Sequence, residues 1–199
     1  MTKPMDEIKD RVAAVVVTYN RAEMLRQCLV SLQKQTMPCD ILVVDNASTD
    51  DTQALVQRAA QHDASIFYRN TGENLGGAGG FNFGMRWAVE AGYAFVWVMD
   101  DDCFPEPVAL EKLLDADRLL QGEYGWLSSV ALWTDGRECR MNRPKIKKNF
   151  YDRIELLRDG ILLAEQATFV SLFLKAETIR AVGLPVKEFF IWGDDIEYT

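Results

Sequence analysis

Val12-Ala-Ala-Val-Val-Val-Thr-Tyr-Asn-Arg-Ala-Glu23 is the stretch that decides the fold. Residues 12–17 are a continuous apolar run dominated by β-branched valine, the pattern of a strand buried on both faces in a parallel sheet. Asn20-Arg-Ala-Glu23 then reads as a capping box, in which the Asn side chain caps and the Glu reaches back. Leu25, Cys28, Leu29 and Leu32 follow at i, i+3, i+4 and i+7, one apolar face of a helix that Pro38 stops. Strand, polar turn and amphipathic helix make the first half of a βαβ unit.

The same alternation continues outward. Residues 41–44 read as a second strand. The polar loop Asn46-Ala-Ser-Thr-Asp50 follows, with Ser48 or Thr49 placed to cap a helix over 50–61. A short third strand is expected at 65–68 and a helix at 79–91. Residues 94–99 read as a strand ending in Asp100-Asp101-Asp102. Pro105 and Pro107 are placed to open a helix that runs through Leu120. Further strands are expected at 125–133 and 167–174 and a helix at 175–182, around a basic excursion at 137–153. No internal repeat or flexible linker interrupts the order. It predicts an α/β fold with an open, mainly parallel sheet, and such sheets bind ligands at the carboxyl ends of their strands. Thr18–Arg21, Asp45–Asn46 and Asp100–Asp102 all fall at such ends.

Composition narrows the function. The chain has 199 residues, 22 Lys+Arg against 30 Asp+Glu, and a net charge of −8. That field disfavours a nucleic-acid partner, which needs basic surface to displace counterions. The longest apolar runs, 12–17 and 94–99, are six residues each, against about 20 for a membrane-spanning helix. Residues 1–11 lack the apolar core of a signal peptide. Cys28, Cys39, Cys103 and Cys139 form no CxxC pair, so reduced thiols and a cytoplasmic location are expected. His62, the one histidine, reads as a solvated residue at a helix end.

Four constellations could carry chemistry. Asp100-Asp101-Asp102 crowds three carboxylates at a strand end. This suits either a hard cation such as Mg2+ or Mn2+ or an acidic turn ahead of a helix. In extended backbone Asp100 and Asp102 would point together and Asp101 away. Asp194-Asp195, with Glu197 beyond, reads either as a general base or as the acidic first turn of a helix. Trp192 beside it can stack on a sugar or pack in the core. Asn74-Leu-Gly-Gly-Ala-Gly-Gly-Phe-Asn-Phe-Gly84 lets backbone approach a phosphate or sugar. It departs from G-x-G-x-x-G, because Asn82 stands where the third glycine belongs, and no Gly-Lys dipeptide supports a P-loop. Asp45-Asn46 with Thr18-Tyr19-Asn20 suits either a base or ribose contact or plain turn chemistry.

Together these segments resemble glycosyltransferase family 2, the inverting nucleotide-sugar transferases of the GT-A fold. The matching residues are Val15-Val-Val-Thr-Tyr-Asn-Arg21, Val43-Val-Asp-Asn-Ala-Ser-Thr-Asp50, Asn74-Leu-Gly-Gly77, Met99-Asp-Asp-Asp102 and Trp192-Gly-Asp-Asp195. The resemblance implies a three-layer α/β/α domain over residues 1–199 with a mainly parallel central sheet. It implies that Thr18, Tyr19, Asn20, Arg21, Asp45, Asn46, Asn74, Gly76, Gly77, Asp101 and Trp192 line the nucleotide-sugar site. Asp100 and Asp102 would bind Mn2+ or Mg2+, and Asp195 would be the base with Asp194 beside it.

Gly76-Gly-Ala-Gly-Gly-Phe81 with Trp192-Gly-Asp-Asp-Ile-Glu-Tyr198 resembles the galactofuranosyltransferase branch. That implies UDP-galactofuranose as donor and a glycan or lipid-linked acceptor, with dTDP-rhamnose transferases as the neighbouring branch. The branch's extra β-rich domain ahead of the transferase, and its metal-binding His after the acidic pair, have no counterpart in these residues. The chain is therefore expected to stop within its last catalytic element, which keeps open a nucleotide-binding piece without turnover. A metal-dependent nucleotidyltransferase or phosphatase would need a cationic phosphate loop, and only Arg21 stands near the first strand. The basic run 137–153 reads either as a solvated loop or as a contact to an anionic lipid or membrane face.

Overall fold

The computed structural model describes residues 11–199, so the reading of residues 1–10 lies outside it. In chain order the elements are β1 (Val12–Thr18), α1 (Ala22–Gln33), β2 (Asp40–Asp45), α2 (Thr52–His62), β3 (Ile66–Asn70), α3 (Gly76–Glu90), β4 (Phe95–Asp100) and α4 (Ala109–Leu119). There follow β5 (Leu127–Ser128), β6 (Lys145–Ile146), β7 (Ala164–Gln166), β8 (Leu172–Lys175), α5 (Ala176–Val182) and α6 (Asp194–Tyr198), with 3-10 turns between them. Six strands form one sheet in the order β3-β2-β1-β4-β8-β5. The first four are parallel, while β8 runs antiparallel to both β4 and β5. Strands β6 and β7 pair separately.

The valine run lies at the centre. Every residue of β1 is buried. Its alternate side chains feed two cores, as the period of a strand requires. Val12, Ala14 and Val16 pack with Leu25, Leu29, Val56 and Leu110 from α1, α2 and α4. Ala13, Val15 and Val17 pack with Phe81, Met85, Ala88 and Ile179 from α3 and α5. Each fully buried leucine or phenylalanine contributes about 1.5–3 kcal/mol, and covering both faces produces the expected α/β/α layers. Among the described residues no helix is long and apolar enough to cross a membrane.

Several boundaries differ from expectation. The capping box does not form. Asn20 adopts a positive φ of 52° and its side chain accepts the Thr49 N–H at 2.7 Å. Glu23 pairs with Arg26. The first free N–H of α1, on Ala22, goes to the Asp50 carboxylate at 3.1 Å. Asp50 also accepts the Thr52 N–H at the start of α2, while the Ser48 hydroxyl accepts the Asn20 N–H. Two neighbouring loops thus satisfy each other, and these tertiary partners displace the local ones.

Helix α3 starts at Gly76, three residues earlier than expected, and α4 starts only after both prolines. The strand expected at 125–133 shrinks to Leu127–Ser128, because the chain beyond it folds back into a hairpin that pairs Leu132 with Glu138. The strand expected at 167–174 shrinks to Leu172–Lys175. His62 is exposed at the end of α2.

Candidate active site

The crevice opens where the chain leaves β1 towards one face and β3 towards the other, between the carboxyl ends of β1 and β4. Register places Thr18 beside Asp45 and Val17 beside Asp100. The Thr18 hydroxyl donates to the Asp101 carboxylate across the crevice at 2.7 Å, with both residues buried. Arg21 lies above them, 2.9 Å from Asp102 and 3.5 Å from Asp101. Tyr19 is exposed at the rim. Beside Arg21 an open cleft of about 610 Å³ is lined by Asn20, Ala22, Glu23, Met24, Asp50 and Asp102.

Asp45 is fully buried and well supplied with donors. It accepts the Ser48 N–H at 2.8 Å, the Tyr68 hydroxyl at 2.6 Å and, more weakly, the Asn70 amide at 3.4 Å. Burial, and then the bond to Asp45, push the Tyr68 hydroxyl up to about 12. Tyr68 had no place in the expected site; it stands in the middle of β3, paired with Val43, and its hydroxyl reaches the Asp45 carboxylate two residues further along β2.

The aspartate triplet does not alternate as expected. Strand β4 ends at Asp100 and the chain turns at Asp101–Asp102. Extended periodicity therefore stops, and Asp101 and Asp102 both reach Arg21. Burial pushes the Asp100 carboxyl up to about 7, and repulsion from Asp102 and Asp101 adds to it. Asp194 adds the smallest part of this upward push. Asp101 is raised by burial, opposed by the Thr18 bond and the Arg21 charge. Asp194 is buried and raised chiefly by desolvation.

Among the described residues no three His, Cys, Asp or Glu side chains form a metal cage. Crowded carboxylates with a proton retained near neutrality still fit a hard cation that takes one or two protein oxygens and completes its shell from phosphates.

The glycine segment serves packing as well as the site. A Cβ on Gly80 would stand 2.5 Å from Val17, and one on Gly84 would run into Val15. These two glycines let α3 lie directly on β1. Gly76, at φ +70°, receives the Phe190 carbonyl where a side chain would otherwise be, and the Ala78 N–H donates to that carbonyl at 3.1 Å. Gly77 follows at the edge of the same contact. The Asn74 side chain accepts the Gly76 N–H at 2.9 Å. The Asn46 amide donates to the Gly76 carbonyl at 2.9 Å, while its own buried oxygen finds no partner among the described residues. The first turn of α3 therefore seats the segment that carries the acidic pair. No side-chain pattern could reveal this, because the guest is a backbone carbonyl.

Beyond Phe190 the chain turns at Gly193, φ +92°, into α6. Asp195 is partly exposed and accepts the Ile196 N–H at 2.8 Å. Trp192 is 78% exposed, so its ring does not pack in the core. Tyr198 and Thr199 tie α6 down: the Tyr198 hydroxyl donates to the Gly183 carbonyl at 2.9 Å and the Trp126 indole donates to the Thr199 carbonyl at 3.2 Å. The structure thus gathers Thr18, Arg21, Asp45, Asn46, Asp100–Asp102 and Asp194 about one crevice, with Tyr19 and Trp192 at exposed positions.

Comparison with known proteins agrees with this fold. The family model described as glycosyl transferase family 2 matches residues 13–120. An undecaprenyl-phosphate mannosyltransferase of Micrococcus luteus is 38% identical over 95% of this chain and 76% of its own length. A galactofuranosyltransferase of Mycobacterium tuberculosis is 31% identical over 94% of this chain and 63% of its own. A mannosyltransferase of Pyrobaculum calidifontis, solved with GDP-Man and Mn2+, superposes with a TM-score of 0.65 at 23% identity. That match covers 96% of this chain and 51% of the other, and it supports the fold. On the matched model and these relatives, the chain belongs to glycosyl transferase family 2 and is a glycosyltransferase.

Proposed function

We propose that this chain binds a nucleoside diphosphate sugar in the β1–β4 crevice and transfers the sugar, with inversion, to a hydroxyl of a lipid-linked acceptor at the inner face of a membrane. One observation carries the reading: the first turn of α3 holds both the Asn46 amide at the end of β2, at 2.9 Å, and the Phe190 carbonyl of the segment leading to Asp194, at 3.1 Å. That seating supports an acidic pair lying beside the strand ends where α/β sheets bind nucleotides.

In this reading Asp45 and the unpaired Asn46 oxygen face the base and ribose, with Thr18, Tyr19 and Asn20 completing the wall. Arg21 and Asp101 hold the rim in position, and Asn74, Gly76 and Gly77 border the sugar. Asp100 and Asp102 would hold Mn2+ or Mg2+, which would neutralise the negative charge of the diphosphate. Asp195 accepts the proton of the acceptor hydroxyl as that oxygen bonds the anomeric carbon. The bond to the diphosphate breaks on the opposite face, which inverts the centre. Asp194 sets the position of Asp195, and Trp192 offers a face for the sugar.

The donor proposed first is UDP-galactofuranose, supported by the segments around Gly76 and Trp192 and by the mycobacterial relative. A mannosyl donor gains support from the Micrococcus relative, and dTDP-rhamnose remains the neighbouring alternative. Calorimetry with UDP, GDP and dTDP in the presence of Mn2+, followed by a transfer and donor-hydrolysis screen of the three sugars, tests the proposal. Failure of all three nucleotides to bind would overturn it. Binding without transfer or hydrolysis would favour a nucleotide-binding module.

A further inference from the structure

The excursion between β5 and β8 is a second feature that the sugar chemistry leaves unused. Ser128 of β5 and Val98 of β4 both pair with Leu172, the first residue of β8. The chain therefore leaves β5 and re-enters β8 at the carboxyl end of β4, the end that carries Asp100–Asp102. Everything between emerges on the side of the sheet where the crevice opens.

The excursion has an unusual surface. Residues 137–159 hold eight Lys/Arg against four Asp/Glu, a net +4 within a chain of −8. Some of these charges are matched by neighbours, as in Arg143–Glu138, Lys145–Glu165 and Arg153–Glu155. Lys147, Lys148 and Arg158 have no ion pair among the described residues. Beside them runs the 3-10 segment Phe150–Asp159, kinked at Arg153. Leu156 points inward and is buried, whereas Tyr151, Ile154 and Leu157 are exposed, Tyr151 to 68%. Ile154 and Leu157 follow the kink, where three residues per turn put them on one face, and Tyr151 stands exposed on the turn just before it. Lys147 is tied to the stripe, since its carbonyl accepts the Phe150 N–H at 3.1 Å and its N–H donates to the Leu163 carbonyl at 2.9 Å.

We propose that this stripe and its free cations dock on an anionic lipid surface, with Tyr151, Ile154 and Leu157 entering the interface and Lys147, Lys148 and Arg158 meeting lipid phosphates. Charge complementarity selects this occupant: residues 137–148, with six Lys/Arg against one Asp/Glu, lead directly into the apolar segment in an otherwise acidic molecule. An apolar face flanked by cations is the pattern of an element lying in the membrane plane. Docked in this way, the crevice opens towards the bilayer, where a lipid-borne acceptor resides. The proposal rests on the lipid-linked acceptor reading for its purpose. Vesicle binding and nucleotide binding are measured separately, so each can fail alone.

The test is co-sedimentation of the 199-residue chain with phosphatidylcholine vesicles, with and without phosphatidylglycerol. The expected result is binding at least about tenfold stronger to the anionic vesicles and declining with added salt. Lys147→Glu with Lys148→Glu should lower it by about tenfold or more, and Tyr151→Ser with Ile154→Ser and Leu157→Ser should remove it. Both variants should keep nucleotide affinity, which shows that they fold. Absence of binding to anionic vesicles, or binding indifferent to both sets of substitutions, would overturn the proposal. So would a dimer in sedimentation that the serine substitutions dissolve, because the stripe would then be an interface between copies.

Discussion

Asp195 and Asp100 ask different things of the same chemical group. Asp195 is partly exposed at the start of a helix and is the proposed proton acceptor. Asp195→Ala should lower the transfer rate by about 10²–10⁴-fold and leave nucleotide affinity by calorimetry unchanged. An unaltered rate would remove it from the mechanism. Asp100 is held near pH 7 by burial and by its acidic neighbours. Its folded pKa lies above its unfolded value, so the native state holds the extra proton between about 4 and 7. Without divalent cation, this group's contribution to stability is therefore full at low pH and is lost as pH rises through about 7. Thermal melts of metal-free protein should show the loss between about pH 4 and 7, and Asp100→Asn should flatten it. Because a cation must displace that proton, Mn2+ affinity should strengthen over the same window and release protons. A pH-independent affinity would contradict the assignment of Asp100 as a ligand.

At the scale of elements, the glycines of α3 explain how closely a helix approaches the central strand. Gly84→Ala places a methyl group against Val15 and Val44 and should cost about 1–3 kcal/mol in urea denaturation. Val15→Ala in the same chain should recover part of it. Gly76→Ala strains a positive φ and collides with the Phe190 backbone. It should cost about 1–2 kcal/mol and also lower transfer, because it unseats the segment leading to Asp194.

The strands and helices of residues 12–120 were legible from sequence because each carries its own periodicity and both faces of its strands are apolar. The carboxyl-end aspartates were legible because topology alone puts strand ends together. The helix starts were not. Asn20, Ser48 and Asp50 exchange partners across two loops, and a local motif cannot foresee a partner some thirty residues away. Only the first turn of α3, residues 76–78, went unforeseen, because glycine disfavours helix, whereas the Phe190 carbonyl demands it there. The strands beyond residue 120 were overdrawn because an apolar run such as 130–133 can also serve an exposed hairpin.

For the whole molecule, the acidic crevice and the basic excursion divide the charge. In the proposed reading the crevice takes a cation together with the diphosphate. Chelation with EDTA should therefore abolish transfer, since a bound metal is worth several kcal/mol of charge stabilisation. It should also weaken nucleotide binding in calorimetry. Full transfer in EDTA would refute a metal role for Asp100 and Asp102. Chelation should leave vesicle binding intact, because the two surfaces use separate residues.

The contact between the Phe190 carbonyl and the first turn of α3 also orders events in time. Residues 12–102, which hold the proposed nucleotide wall and the aspartate triplet, contain all four parallel strands and leave the ribosome first. The acidic pair can reach its place only after residue 190 has been made and has closed a long loop onto α3. The molecule is thus assembled as a receptor before it becomes a catalyst. In refolding experiments, protection of β1 and β2 amides should precede protection of the Ala78 amide, with transfer activity returning last.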